Sequence, residues 1–192
     1  IKECDWSSDV CSSDLTALIA TALLAVMTTF QTTMAADLEN TLYLDLKDGR
    51  VVIELLPDLA PTHVARIKEL TRKGFYDGIV FHRVIEGFMA QTGDPTGTGT
   101  GGSGQKLKAE FNAEPHVRGV LSMARSGHPD SADSQFFIVL EDAPHLDRQY
   151  TAWGRVSEGM EFVDAIKRGH PSSGAVDGPD KIVKMQVAAE DR

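Results

Sequence analysis

The pattern of apolar residues reads as a mainly β domain, a closed antiparallel β-barrel of eight strands capped by two α-helices. Three features carry that reading. Short apolar or alternating runs recur from Thr41 to Ala188, only two stretches have helical periodicity, and turn residues punctuate the rest. No internal repeat or interdomain linker interrupts them, so residues 37–192 read as one domain.

Thr41–Leu46 (TLYLDL) alternates apolar and polar side chains, and Val51–Leu56 is a second apolar run. Asp48-Gly49 between them is a strong hairpin signal. Pro57-Asp58 ends that strand. Ala60–Arg72 is expected to be a helix, with Pro61 in its first turn and Val64, Ile67 and Leu70 at helical spacing. Gly74 stops it. Further strands are expected at Val80–Ile85, Phe88–Thr92, Gly119–Ala124, Gln135–Leu140, Thr151–Val156 and Lys181–Ala188. A second helix covers Met160–Arg168 and ends at Gly169. The bulky runs FFIVL and VLSMA suggest a filled interior.

Charge narrows the function. The chain carries 19 Lys+Arg against 28 Asp+Glu, a formal net charge of −9, with no long run of one sign. Nucleic acids and anionic membranes call for a basic patch or stripe, so neither is an expected partner. The six histidines are scattered, with no pair at the i,i+4 spacing of a zinc-binding helix. Cys4 and Cys11 match no common zinc or redox motif. Neither a metal nor another cofactor is expected. Gly97–Gly102 (GTGTGG) satisfies G-x-G-x-x-G, but a dinucleotide site needs a strand before the loop and a helix opening at its end. Asp94-Pro95 precedes it and GSGQKLKAEFN follows without helical periodicity, so it reads as a loop.

Residues 1–36 are read apart from the fold. TALIATALLAVMTTF, residues 16–30, has signal-peptide length and is short for a bilayer span. TTMAAD follows, offering cleavage after Ala35 or Ala36. The preceding IKECDWSSDVCSSDL is acidic and Ser-rich where a secretory signal has basic residues, and it resembles a translated sequencing-adapter read-through. The expectation is a non-native stretch plus a signal peptide, hence a periplasmic or secreted protein. The alternatives for the apolar run are an uncleaved membrane anchor or a spurious extension, and a cytoplasmic protein would require the run to be artefactual. Removing Lys2 and the acids Glu3, Asp5, Asp9 and Asp14 leaves 18 basic and 24 acidic residues, a net of −6. The processed chain has no cysteine and no expected stable membrane association.

Two blocks carry chemistry: Phe75–Asp94 (FYDGIVFHRVIEGFMAQTGD) and Gly119–Leu140 (GVLSMARSGHPDSADSQFFIVL). Strand residues of like parity share one face. Phe81, Arg83 and Ile85 then lie together, as do Met89 with Gln91 and Gln135 with Phe137. Each set puts a polar donor beside a large apolar group, which suits a groove with an apolar pocket and a few orienting hydrogen bonds. Taken alone, the apolar members would more often be barrel core. A lone strand glutamine is usually a solvated edge, and the alternative for Arg83 is a surface arginine pairing with a carboxylate.

The two blocks closely resemble the signature of the cyclophilins, F-H-R-V-I-x-G-F-M-x-Q-x-G-D followed by M-A-x and S-Q-F-F-I, and the likeness runs from about Thr41 to Ala188. It implies a peptidyl-prolyl cis-trans isomerase that accelerates rotation of X-Pro bonds in unfolded or extended segments and assists folding. Its partners would be proline-containing polypeptides, and it would act as a monomer. The resemblance makes Arg83, Phe88 and Gln91 catalytic, with Arg83 stabilising the twisted amide. It places Met89, Phe137 and Leu146 with Phe88 around the proline ring, and Gln91 and Gln135 on the substrate backbone. Ala124 and Arg125 would run beside the peptide, and His145 and Tyr150 complete the binding set. His82 is given a structural hydrogen-bonding role, since no proton is transferred. The glycine-rich loop would border the groove.

Some positions depart from the best-known eukaryotic members, which commonly have tryptophan at His145, histidine at Tyr150 and asparagine at Arg125. SGHPDSAD is also one residue longer. Without the indole donor, binding of cyclosporin-type inhibitors is expected to be weak. Two other functions fit such a domain: a cyclophilin-shaped binding module with incidental catalysis, and a barrel that holds a small molecule inside, as lipocalins do. The presence of Arg83, Phe88, Gln91 and Phe137 favours the enzyme over the first, and the bulky interior speaks against the second.

Overall fold

A computed structural model describes residues 38–191 of the chain. The adapter-like stretch, the apolar run and the expected cleavage sites lie outside the described residues.

The strands are β1 (Thr41–Asp45), β2 (Arg50–Leu55), β3 (Arg83–Ile85), β4 (Met89–Thr92), β5 (Val120–Met123), β6 (Phe136–Val139), β7 (Ala152–Glu158) and β8 (Lys184–Val187). Helix α1 spans Pro61–Arg72 and helix α2 spans Met160–Asp164. Helix α1 lacks a capping side chain of its own. The carboxylate of Glu110, far along the chain, accepts from the N–H groups of Thr62 and His63 at 3.1 Å each and supplies the missing cap.

Helix α2 stops short of the expected Arg168 because tertiary partners capture the next donors. The Lys167 N–H bonds to Asp180 at 2.8 Å and the Gly169 N–H bonds to the Val84 carbonyl at 2.9 Å. Strand β3 likewise begins three residues later than expected. The N–H of Phe81 bonds to Asp180, and its ring is fully buried in the main core. Phe81 therefore does not share a face with Arg83, contrary to the parity expectation.

All pairings are antiparallel, in the order β3-β4-β6-β5-β7-β2-β1-β8. The sheet is a curled half-barrel, which corrects the expected closed barrel. Its edges, β3 and β8, form no ladder with each other, and isolated bridges Val80↔Lys181 and Arg83↔Ala175 span the gap. Chain chemistry explains the gap. The segment that would close it contains Pro171 and Pro179, which lack a backbone N–H. It also contains Gly174, whose φ of +75° and close fit under Arg83 and Ile85 are incompatible with a regular strand.

The concave face of the sheet holds the main core. Leu42, Ile53, Val84, Leu121, Ile138 and Trp153 are fully buried there, and α1 adds Val64, Ile67 and Leu70. Phe136 meets Tyr76 and Trp153 edge-on, with ring centroids 5.5 and 5.4 Å apart. The interior is filled with side chains. No helix among the described residues is long and apolar enough to cross a membrane.

Candidate active site

Strand pleating divides the sequence blocks between two faces. In β3, β4 and β6, Val84, Ala90 and Ile138 point into the main core. Arg83, Gln91 and Phe137 stand in one cross-strand row on the other face, and Ile85, Met89 and Val139 form the next row. Met89, Val120, Phe137, Val139, Leu146 and Ala152 pack into a second apolar cluster there, against the partly buried Ile85, Phe88 and Tyr150.

Connections bring the other side chains to this face. Phe88 comes from the turn between β3 and β4, where Gly87 takes φ +68°. Ala124 and Arg125 follow the end of β5, and a short 3₁₀ turn, Pro144–Leu146, presents His145 and Leu146. Tyr150 lies just before β7. The result is an open groove of about 320 Å³. Its lining includes ten of the eleven expected residues: Arg83, Phe88, Met89, Gln91, Ala124, Arg125, Phe137, His145, Leu146 and Tyr150. Gln135, the eleventh, lines an adjoining pocket of about 380 Å³ that shares Gln91, Ala124 and Arg125 with the first.

A line of hydrogen bonds orients the polar members. The Gln135 amide donates to the carbonyls of Gly99 (3.0 Å) and Gly101 (2.8 Å), which leaves its oxygen to accept from Gln91 Nε2 at 2.9 Å. Gln91 Oε1 in turn accepts from Arg83 Nη1 at 3.2 Å. Arg83 Nε donates to the Ser173 carbonyl at 3.2 Å. The guanidinium is thus fixed by neutral acceptors on two edges. It forms no ion pair among the described residues, so its charge is not neutralised by the protein. The alternative reading of Arg83, a surface arginine paired with a carboxylate, does not apply here.

Rings shape the apolar floor. Phe137 meets Tyr150 edge-on at 5.7 Å, and Phe88 lies 5.4 Å from the His145 ring. Beneath Phe137 sits His116, stacked at 6.4 Å and almost wholly buried. Its Nδ1 lies 3.0 Å from Asp147 and its Nε2 lies 2.8 Å from Ser122 Oγ. The order Asp-His-Ser suggests a hydrolytic triad, but Ser122 is fully buried and no substrate reaches it. The array instead braces the floor of the groove.

Two buried carboxylates organise the glycine-rich wall. Asp94 accepts from the N–H groups of Thr96, Thr98, Gly99 and Gly101 and from the Thr96 hydroxyl. Burial alone would raise its carboxyl, but the bonds from Thr96, Gly101 and Gly99 outweigh burial and hold it at about 2. Asp133 similarly takes the Ser103 N–H and hydroxyl, both at 2.6 Å, and the Gly104 N–H. His82 does not have the hydrogen-bonding role expected of it. Neither ring nitrogen has a well-formed hydrogen bond among the described residues, and burial, only partly offset by Asp94 and the Val80 backbone, pushes the imidazole below its usual value.

Sequence reasoning missed His116, Asp147, Asp94 and Asp133. His116 stands just before GVLSMA, yet no spacing rule joins it to Asp147. Asp94 was legible as the residue opening a run of glycines and threonines, a setting in which an Asp commonly accepts from backbone N–H groups.

The cyclophilin type peptidyl-prolyl cis-trans isomerase/CLD family model matches residues 41–187. The "Probable peptidyl-prolyl cis-trans isomerase" of Brucella suis is 53% identical over 188 residues, covering 91% of this chain and 96% of that protein. Peptidyl-prolyl cis-trans isomerase B of Bacillus subtilis is 48% identical over 133 residues, covering 68% of this chain and 92% of that protein. Among solved structures, a cyclophilin from Hirschia baltica superposes with a TM-score of 0.73 at 29% identity, over 81% of this chain and 76% of that one. A Cryptosporidium parvum cyclophilin type isomerase, crystallised in the presence of the dipeptide Ala-Pro, gives 0.71 at 28% identity, over 77% of this chain and 98% of that one.

Proposed function

The chain belongs to the cyclophilin family and is a peptidyl-prolyl cis-trans isomerase, and from that premise we propose that the outer-face groove seats the substrate proline with Arg83 at its imide nitrogen. Resonance gives the prolyl amide partial double-bond character and a rotation barrier of about 18–20 kcal/mol. In the twisted transition state that resonance is lost and a lone pair returns to the proline nitrogen. A guanidinium donor aimed at the lone pair stabilises the twisted form more than either planar form, which is what catalysis requires. No bond breaks, so no nucleophile or proton acceptor is needed. Bringing a process of tens of seconds to milliseconds takes about 10⁴-fold, roughly 5.5 kcal/mol.

The observation that carries this reading is Arg83 itself, held on two edges by neutral acceptors, free of any carboxylate, and lining an apolar groove. Nη2 makes no hydrogen bond to the described protein, leaving a donor for substrate. Phe88, Met89, Phe137 and Leu146 would take the pyrrolidine ring. Gln91 holds the arginine and, with Gln135 and the Ala124–Arg125 edge, would align the extended substrate backbone.

Exchange spectroscopy by NMR on an Ala-Pro peptide, with catalytic amounts of protein, tests the assignment. Arg83→Ala should lower kcat/KM on the order of 10²–10³-fold, the usual cost of losing one preorganised transition-state donor. Native-like rates from folded Arg83→Ala would overturn it. The same reading expects weak cyclosporin binding, because His145 offers no indole N–H; nanomolar inhibition of turnover would contradict that. The apolar run of residues 16–30 and the small residues after it support an exported protein, periplasmic or secreted, which fractionation of cells carrying the full chain would check.

A further inference from the structure

Arg125, like Arg83, is a cation on the groove with no acidic partner among the described residues. It lies between the apolar groove and the adjoining pocket and lines both. Its guanidinium carbon stands 4.7 Å from the centroid of the Tyr150 ring and 5.6 Å from that of Phe111. Nε donates to the Gln149 carbonyl at 3.1 Å and Nη1 to the Ser126 carbonyl at 2.9 Å. The fork is therefore held in place, but none of these contacts is with a carboxylate, and Nη2 has no acceptor among the described residues.

Lys106 lines the adjoining pocket as well. Its Nζ lies 3.5 Å from Asp133, whose oxygens already accept from Ser103 and Gly104. The charged lining of the two pockets is thus Arg83, Arg125 and Lys106 against Asp133 alone. The chain as a whole has a formal net charge of −9. An acidic protein has thus gathered cations around the groove proposed for its substrate, which focuses positive potential there.

From this arrangement we infer that Arg125, seconded by Lys106, is a specificity-determining residue: the protein prefers X-Pro segments that carry an Asp or Glu near the proline and receives that carboxylate in the adjoining pocket. The inference rests on the proline occupying the apolar groove. The two pockets share an edge, and an extended chain advances roughly 3.3 Å per residue, so the acidic residue lies within about three positions of the proline. Nη2 remains to give a carboxylate one charge-assisted hydrogen bond, and the side chain is already oriented by its bonds to Gln149 and Ser126, so little of its freedom is lost on binding. The pocket is open to water, which limits the gain to about fivefold in kcat/KM. Basic residues at the same position meet Arg125 and Lys106 as like charges and are disfavoured.

Matched Ala-Pro peptides test this, with Glu or Gln placed in turn at each of about three positions on either side of the Ala-Pro pair. Turnover is measured by exchange NMR for the native protein, Arg125→Gln, Arg125→Lys and Lys106→Gln. The Glu-to-Gln ratio of kcat/KM is read within each protein, so any change in basal turnover cancels. For at least one position the native ratio should be about five, falling towards one in Arg125→Gln and partly in Lys106→Gln. Arg125→Lys should keep an intermediate ratio. Raising salt from about 0.02 to 0.5 M should also shrink the native ratio. Ratios of one at every position overturn the inference while leaving the isomerase groove intact, because the Gln peptides are still turned over. A preference that survives Arg125→Gln overturns it too. Failure of the native protein on all the Gln peptides would instead sink the seating of proline on which it rests.

Discussion

The two faces of the half-barrel are made by the same strands and obey opposite rules. Along β4 and β6, Ala90 and Ile138 enter a core in which the neighbouring groups are apolar and water is excluded. One residue away, Gln91 and Phe137 enter a groove where apolar rings lie beside a hydrogen-bonded line from Gly99 to Arg83. The concave face sets the shape and contributes most of the stability. The convex face supplies function and tolerates an uncompensated guanidinium because it remains partly in water. If that division is right, substitutions on the two faces should separate folding from turnover.

The largest expected effect lies on the concave side. Leu44 in β1 is fully buried and far along the sheet from the groove-forming strands. Leu44→Ala should cost about 2–5 kcal/mol of stability, through lost transfer energy and the cavity left behind. Urea unfolding reads the loss, while turnover per folded molecule at low temperature stays near native. Arg83→Ala is the mirror experiment: a large loss of turnover with stability changed by less than about 1 kcal/mol, since no ion pair is removed. A strong effect of either variant on the other quantity would break the division.

The sequence made this partition legible because strand side chains alternate with a period of two. All eight strands and both helices were recognisable from local pattern, and the convex row of Arg83, Gln91 and Phe137 followed from parity and resemblance. What failed depended on partners distant in the chain. Phe81 obeys the parity of Arg83 in sequence, yet Asp180 draws its backbone out of the strand and into the core. Closure of the barrel failed for the same reason, since whether β3 meets β8 is decided by the irregular chain around Gly174. Glu110 capping α1 and His116 bracing Phe137 are also long-range pairings, which no single window of sequence contains.

A middle-sized effect tests the glycine-rich wall of the groove. Asp94 is held at about 2, below the ordinary 3.8, so the folded protein binds its ionised form more tightly than the unfolded chain does. Its contribution, on the order of 2 kcal/mol, is fully present above about pH 5 and is lost as pH falls through about 2. Asp94→Asn removes it by placing an amide donor against backbone N–H groups. The gap in urea midpoint between native and Asp94→Asn should therefore be widest near pH 6 and close progressively below pH 4. A gap of constant width down to about pH 2 would show that Asp94 acts through shape and not through its charge.

The smallest effect sharpens the comparison most, because Gln135 belongs to the convex line without touching the arginine. Its amide ties the glycine-rich wall to Gln91, and Gln91 passes that order to Arg83. Gln135→Leu keeps the side-chain volume while removing both ends of this connection. The cost should be about 1.4 kcal/mol in the transition state, a tenfold fall in kcat/KM, with little change in unfolding free energy. If Gln135 only contacts substrate equally in its ground and twisted states, the loss will appear in KM alone. If it also steadies the guanidinium through Gln91, kcat must fall as well, and Gln91→Leu combined with Gln135→Leu must cost less than the two single losses added together. Additive losses would mean that the hydrogen-bonded line is a set of separate substrate contacts, and that Arg83 needs no support from the wall to hold its position.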